Sequence, residues 1–337
     1  GIFDAGVFGS LLPIHDASDF SGQVKMEEVK IAGKVRDFAS DYTNPKATGR
    51  ITIDDVSFDW GEEEFDRIDG KVKLRGNRLI VENCHIESSG GDMEVEAEIL
   101  NLVPMIFGRG NNDKLSLIVD ANVVSEELDL ERLMALPTAP PVEISEEEIA
   151  ELDTIPQAVP ASLWTTVTGK VTAAVKHFVY DRFNVHDFST QISFHPNFMQ
   201  VGYLRGQTMQ GEVDLDGSVR ISPYGSLILE LEGRISELDI HELFYQFGDF
   251  GQTFIVHDHL EGRVNAQIKR VAIYWDKYFN FMDDNLLVDV DLAIQNGELV
   301  NFEPLEALSS FVSLEELKRV EFSESVSYTH LTLPTSY

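Results

Sequence analysis

Residues 91–100 alternate strictly, with Met93, Val95, Ala97 and Ile99 on one side of an extended chain and Asp92, Glu94, Glu96 and Glu98 on the other. A repeat of two is the period of a β-strand, since successive side chains point to opposite faces; a helix would repeat at about 3.6 residues. The same alternation recurs at Val213, Leu215, Gly217 and Val219, and again at Val288, Val290, Leu292 and Ile294. Turn signals at Gly70, Gly76-Asn77, Gly90-Gly91, Gly211, Asp216-Gly217 and Asn296-Gly297 separate the runs. The spacing predicts a mainly β protein built on a long antiparallel sheet, with one apolar and one acidic face. Val24, Met26, Val29 and Ile31 read as two short strands before the first clear unit, and Phe8–Leu12 is an apolar patch of unassigned state.

The runs repeat. Thr48-Gly-Arg-Ile-Thr-Ile lies over Thr168-Gly-Lys-Val-Thr-Ala, and the offset of 120 residues then places Val72 and Leu74 on Ile192 and Phe194, Asn77 on Asn197, Cys84 on Leu204, and Gly91 on Gly211. Met93, Val95 and Ala97 meet Val213, Leu215 and Gly217 without a gap. Each copy closes with a strand feeding a short helix: Leu115, Leu117 and Val119 run into Ser125–Met134, and Leu227, Leu229 and Leu231 into Ser236–Phe244. Ser125 and Ser236 are placed to cap these helices, with acidic residues behind them suiting the positive end of the helix dipole. A third copy opens at Glu261-Gly-Arg-Val-Asn-Ala266. Residues 1–136 thus form the first β units, 137–160 an acidic, proline-rich linker holding Pro140-Pro141 and Glu146-Glu-Glu148, and 161–325 the second β region.

With 43% apolar residues the chain folds, and its formal charge of −32 repels phosphate at long range, which excludes nucleic acid as a partner. The single cysteine, Cys84, allows no internal disulfide and leaves the redox compartment open. No run approaches the roughly 20 apolar residues of a membrane-spanning helix. The chain begins at Gly1, and we read it as an internal fragment whose membrane anchor precedes it. Val326–Thr335 resembles the translation of an adapter used in preparing sequencing libraries, so residues 326–337 are set apart from the fold; the alternative is a strand in which Tyr328, His330 and Thr332 alternate with Thr329, Leu331 and Leu333.

Candidate chemistry is sparse. His257-Asp-His259 could offer two imidazoles to a metal, but no third ligand stands at a set spacing, and a turn before the strand at Leu260 is the simpler reading. Asn83-Cys84-His85 pairs a thiol with a base, yet Cys84 holds the repeat position of Leu204 and reads as a small buried apolar residue. Trp164, Tyr274, Trp275 and Phe279 could line a sugar surface or simply pack at strand ends. No phosphate loop, dinucleotide fingerprint or nucleophile elbow is present, and no carboxylate pair is marked for glycoside cleavage. We expect neither catalysis nor a cofactor or metal.

The apolar face must then meet something. About a dozen strands each present three or four apolar side chains to it, with only about three short helices as cover. One solution is a second sheet, giving a closed sandwich. The other is a curved groove that holds apolar ligands, because soluble proteins seldom leave more than a few hundred Å² of contiguous apolar surface bare. The lining of such a groove would be Ile51, Ile53, Val72 and Leu74; Met93, Val95 and Ala97; Leu115 and Leu117; and Val171 and Ala173. Ile192, Phe194, Val213 and Leu215 continue it, followed by Leu227, Leu229 and Leu231, then Val264 and Ala266, and finally Val288, Val290, Leu292 and Ile294.

In Gln295–Phe322, Asn296-Gly297 signals a hairpin, and Leu305, Leu308, Val312 and Leu317 have a broken helical spacing. This stretch, together with Leu238-Asp-Ile-His-Glu-Leu-Phe-Tyr-Gln-Phe247 and Phe250-Gly-Gln-Thr-Phe254, resembles the C-terminal region of AsmA-like proteins of the bacterial envelope, in their Bacteroidetes branch. The resemblance covers most of 227–322; earlier parts match in rhythm alone. It implies a non-catalytic periplasmic protein, anchored in the inner membrane of a Gram-negative bacterium. Its groove would conduct phospholipid and support outer-membrane assembly, with acyl chains as ligand and the membrane reached through an N-terminal anchor. A diacyl lipid with some thirty methylenes faces roughly 20 kcal/mol or more if it crosses water bare. The alternatives are a structural or adhesive β-repeat scaffold with a closed core and a carbohydrate-active β enzyme.

Overall fold

The computed structural model describes residues 1–9, 17–33, 46–102, 116–135, 167–222, 226–251, 253–276, 282, 285–302 and 319–332. The expected linker at 137–160, the helical stretch at 305–317, Leu115, Trp164 and Phe279 lie outside them. The elements are β1 (Ile2–Asp4), α1 (Ala5–Gly9), β2 (Ala17–Ala32), β3 (Lys46–Trp60), β4 (Glu63–Gly76), β5 (Arg78–Ser88), β6 (Gly91–Leu100), β7 (Leu117–Asp129) and α2 (Leu130–Met134). After these come β8 (Val167–Tyr180), β9 (Phe183–His195), β10 (Phe198–Thr208), β11 (Gly211–Ile221), β12 (Leu227–Asp239), α3 (Ile240–Gln246), β13 (Leu260–Trp275), β14 (Leu287–Val300) and β15 (Arg319–Thr332). Among the described residues the fold is mainly β with the three short helices named above, and strand order is chain order. Two compact units divide the chain, 1–179 with 191–200 and 180–190 with 201–337.

The repeat is structural. Strands β3 to β6 start at residues 46, 63, 78 and 91, and β8 to β11 at 167, 183, 198 and 211, close to the 120-residue offset read from the sequence. The recurring Thr-Gly-Arg, Thr-Gly-Lys and Glu-Gly-Arg triplets have a backbone cause: Gly49, Gly169 and Gly262 hold φ of 133°, 129° and 134°. A side chain at Gly169 would stand 2.0 Å from the Val119 carbonyl oxygen, and one at Gly49 2.6 Å from Val29 Cα. Only glycine fits such a position.

In the first unit β1 to β7 form an antiparallel meander. The expectation of an antiparallel sheet throughout fails where β7 and β8 pair in parallel, Leu117 beside Val167 through Asp129 beside Val179. Parallel neighbours need a connection of a dozen or more residues, and residues 135–166 separate α2 from β8 in the sequence. The two short strands expected near Val24 and Ile31 are one, β2, bent by Glu28 at φ 50°. In the second unit β11 to β15 pair antiparallel in chain order. Backbone pairing of β15 with β14 runs from Arg319 beside Val300 to Thr332 beside Leu287.

Several expected turns are strand interior. Gly70 pairs with Ile53 inside β4, where a Cβ would press on Cys84 Sγ at 3.1 Å, and Asp216-Gly217 pairs with Glu232 and Leu231 inside β11. Asn296-Gly297 is no hairpin: Asn296, at φ 49°, makes a bulge in β14 opposite Gly262. Such bulges recur and keep the faces sorted, because one extra residue resets the parity of a strand. In β3 the bulge at Asp55 (φ 51°) returns Val56 and Phe58 to the face of Ile51 and Ile53. In β5 Asn83 (φ 46°) returns Cys84 and Ile86 to the face of Val81. Neighbouring strands latch two bulges, Asp69 Oδ1 accepting from the Asp55 N–H at 2.8 Å and Asn265 Oδ1 from the Glu237 N–H at 3.1 Å. The Asp55 amide, helped by Arg67 against the opposing effect of burial, holds the Asp69 carboxyl below its usual pKa.

The helix caps differ from expectation. Ser125 and Ser236 belong to β7 and β12, and the caps are Asp129, accepting from Arg132 N–H at 3.2 Å, and Asp239, accepting from Glu242 N–H at 3.1 Å. Both strands run on further than the hydrophobic pattern suggested, so the first unpaired helix amides fall beside the aspartates.

Candidate functional site

Cross-strand pairing collects the apolar side chains into rows. In the first unit one row runs Met26, Ile51, Val72, Val81, Ala97, Ala121 and Val171, each beside the next across β2 to β8. Leu74, Leu79, Ile99 and Val119 form a row on one side of it, and Cys84, Val95, Val123 and Ala173 a row on the other. At strand spacings of about 4.8 Å and same-face steps of about 6.6 Å, this face measures roughly 30 Å by 15 Å.

The second unit repeats the arrangement. Val213, Ile235, Ala266 and Leu292 stand in line across β11 to β14, as do Gly217, Leu231, Val271 and Val288. Leu238, Val264 and Ile294 close one end, while Ile221, Leu227 and Trp275 mark the other.

Of the expected lining residues, Leu74, Val264 and Ala266 are buried, whereas the other described ones, from Ile51 to Ile294, are only half-buried. Ile192 and Phe194, in β9, are also half-buried. Lateral packing within one layer explains partial burial; a second layer would have sealed these side chains. Among the described residues, substantial strand contacts join chain neighbours only, and α1 lies against β2 and α3 against β12 and β13 at the ends of the rows. Near α1, Ala5, Val24 and Val56 make a local core with Phe20, Phe58 and Ile68, and the Phe58 ring stacks on Phe20 at 5.0 Å and Phe65 at 4.8 Å.

The opposite face is charged and tied. Lys73 reaches Glu82 at 2.6 Å, Arg78 reaches Glu98 at 2.9 Å, and Lys269 reaches Asp291 at 2.6 Å. Glu230 is clasped by Arg220 and Arg270; the Arg270 hydrogen bond comes first in pulling its pKa down, against partial burial, with Arg220 adding to it. His85 sits between Glu87 and Glu94 at 2.8 Å each; the Glu87 hydrogen bond leads in raising its pKa, burial opposes, and Glu94 adds to the rise.

Sequence reasoning did not nominate Val81, Ala121, Val123, Ile268, Val271 and Ile273 as lining. Parity changes hide four of them, at the register shifts between Val81 and Cys84 and between Ile268 and Arg270, whereas Ala121 and Val123 continue the unbroken alternation of Leu117 and Val119. Cys84 and His85, adjacent in one strand, face opposite sides; burial of the thiol raises its pKa, with Glu94 and Asp69 adding to the effect, which disfavours a thiolate. Tyr274 and Trp275 likewise part to opposite faces, so they build no common platform. His257–His259 forms a 3-10 turn before β13, as the simpler reading had it, and no cluster of three metal-ligating side chains occurs among the described residues. No described helix is long and apolar enough to cross a membrane. No family model, curated protein or solved structure matches the chain.

Proposed function

We propose that the protein handles lipid, with acyl chains lying along the apolar rows while headgroups stay in water. The observation that carries this reading is the row from Met26 to Val171, seven apolar side chains in register on seven strands with no described layer over it. Its estimated area, several hundred Å², is that of the largest apolar patches on soluble proteins, which often serve a function. Small and branched side chains give a smooth surface, which suits a ligand that must be held everywhere and nowhere tightly. The reading is non-catalytic. Among the described residues, the carboxylates whose pKa moves, Glu27, Asp69, Glu230 and Asp249, all move down, the wrong direction for a general acid at neutral pH. We further propose the setting implied by the AsmA-like resemblance: a periplasmic protein, held at the inner membrane by a segment outside this sequence, serving outer-membrane assembly.

Solvent extraction of the purified chain, followed by mass analysis, tests the reading. Phospholipid should co-purify, and Ala97→Glu with Ala121→Glu, which puts two charges in the central row, should reduce it severalfold without loss of β content. A lipid-free wild type that also excludes an apolar dye would leave a repeat scaffold. Release of a sugar from a glycoside, abolished by changing one carboxylate, would instead mark an enzyme.

A further inference from the structure

The connection from β12 to β13 places a group of aromatic rings in solvent. Tyr245, Phe247, Phe250 and Phe254 are 45%, 46%, 56% and 62% exposed, the largest such concentration among the described residues. They are held and not loose. Phe247 stacks on Phe250 with centroids 5.2 Å apart and planes 8° apart, Phe183 meets Phe247 edge-on at 4.9 Å, and Phe244 meets Phe250 at 5.1 Å. Phe254 leans on the buried Phe302 at 5.0 Å, and the Arg182 guanidinium lies 5.5 Å from the Tyr245 ring centre.

The backbone is bent to present them. Gly248, Asp249, Phe250 and Gly251 hold φ of 57°, 54°, 52° and 71°, a left-handed turn that L residues adopt only under strain. Asp249 secures it, its carboxylate accepting from the His257 N–H at 2.6 Å and lying 3.1 Å from His257 Nδ1. A fold that strains its chain to keep phenylalanines wet has placed them for contact.

We propose that this loop docks on the surface of a zwitterionic phospholipid bilayer, seating Phe247, Phe250 and Phe254 at the headgroup level. The chemistry fits: aromatic side chains favour the membrane interface, and Tyr245 with Arg182 supplies the polar rim. Charge narrows the partner. At a formal −32 the chain repels both anionic lipid and a second copy of itself, and a net-neutral lipid surface carries no such penalty. The loop also follows the end of the second unit's apolar rows, where Leu238, Ile240 and Val264 are buried. This inference rests on the lipid-handling reading, because acyl chains that travel along the rows have to leave or join a bilayer at some end.

Sedimentation of the full chain with phosphatidylcholine vesicles tests it. The wild type should co-sediment, and the double variant Phe250→Ser, Phe254→Ser should bind about tenfold more weakly, since it loses two of the interfacial rings. Co-purified lipid should be unchanged in the same variant, which separates docking from lipid handling. Phe250→Trp should retain binding and show a blue-shifted emission on adding vesicles, which verifies that this position enters the interface in a folded protein. A wild type that ignores neutral vesicles, that binds only when anionic lipid is included, or that uses the rings to capture a protein instead would overturn the docking proposal while leaving the lipid content to judge the first.

Discussion

Two leucines distinguish an open apolar face from a sealed one. Leu238 is 1% exposed beneath the end of the second unit, against Val264 at 2% and Ile240 at 6%. Leu231 sits mid-row, half-buried between Gly217 and Val271. Leu238→Ala removes three carbons from a closed site; at about 0.8 kcal/mol per methylene plus a cavity that cannot collapse, the cost is about 3–4 kcal/mol. Leu231→Ala removes the same atoms from a side chain already in partial contact with solvent, and leaves a dent and not a cavity. Its cost should be about 1 kcal/mol, set by lost lateral contacts alone. Urea unfolding of both variants, followed by circular dichroism with matched slopes, measures the difference. A gap of about 2–3 kcal/mol is expected. Equal losses for the two would mean that Leu231 is covered by a second layer, and the open-face account would fall.

Other outcomes follow from the same geometry. Gly169→Ala should cost about 2 kcal/mol or more, because the backbone there is left-handed and the new methyl meets the Val119 carbonyl oxygen at 2.0 Å, while Gly76→Ala, with nothing within 4 Å, should cost only about 1 kcal/mol; similar values would refute the close approach. Asp239→Ala should lower stability by about 1 kcal/mol through loss of the α3 cap, whereas Ser236→Ala should change little; the reverse order in thermal melts would restore the serine cap. His85, with its pKa raised in the fold, binds its proton more tightly folded than unfolded, so its contribution is complete below the ordinary histidine pKa and is lost as pH rises through the raised value. The stability gap between wild type and His85→Gln should therefore be wider at pH 6 than at pH 9; a gap that widens with rising pH would contradict the Glu87 and Glu94 pairing.

The strand content and the repeat were legible because period-two alternation survives in Gly91–Leu100 and its partners, where no bulge interrupts β6 or β11 except at their ends. Elsewhere a single extra residue hid the pattern. Asp55, Asn83, Glu237 and Asn296 each take a left-handed conformation inside a strand, and the same small polar residues that signal turns also serve bulges, so Asn296-Gly297 read as a hairpin. The caps were misplaced for a related reason: a serine with acidic residues behind it looks like a helix start, but hydrogen bonding to neighbouring strands carried β7 and β12 past it to the next aspartate. The parallel β7–β8 pair could not be read at all, since register between distant strands depends on the whole sheet and leaves no local mark. For the candidate site, the nominated residues came from stretches of clean alternation between the bulges, and the rows they belong to became visible only through pairing.

The central claim is that acyl chains lie on one face of the sheet and not the other. Ala121 and Asn122 are adjacent in β7, beside Ala97 and Glu96 on opposite faces. A photocrosslinking amino acid placed at each position in turn, irradiated in cells and read by intact mass, compares the two faces directly. The account predicts a phospholipid-sized adduct at Ala121 and none at Asn122; adducts at both positions alike, or at neither, would contradict it.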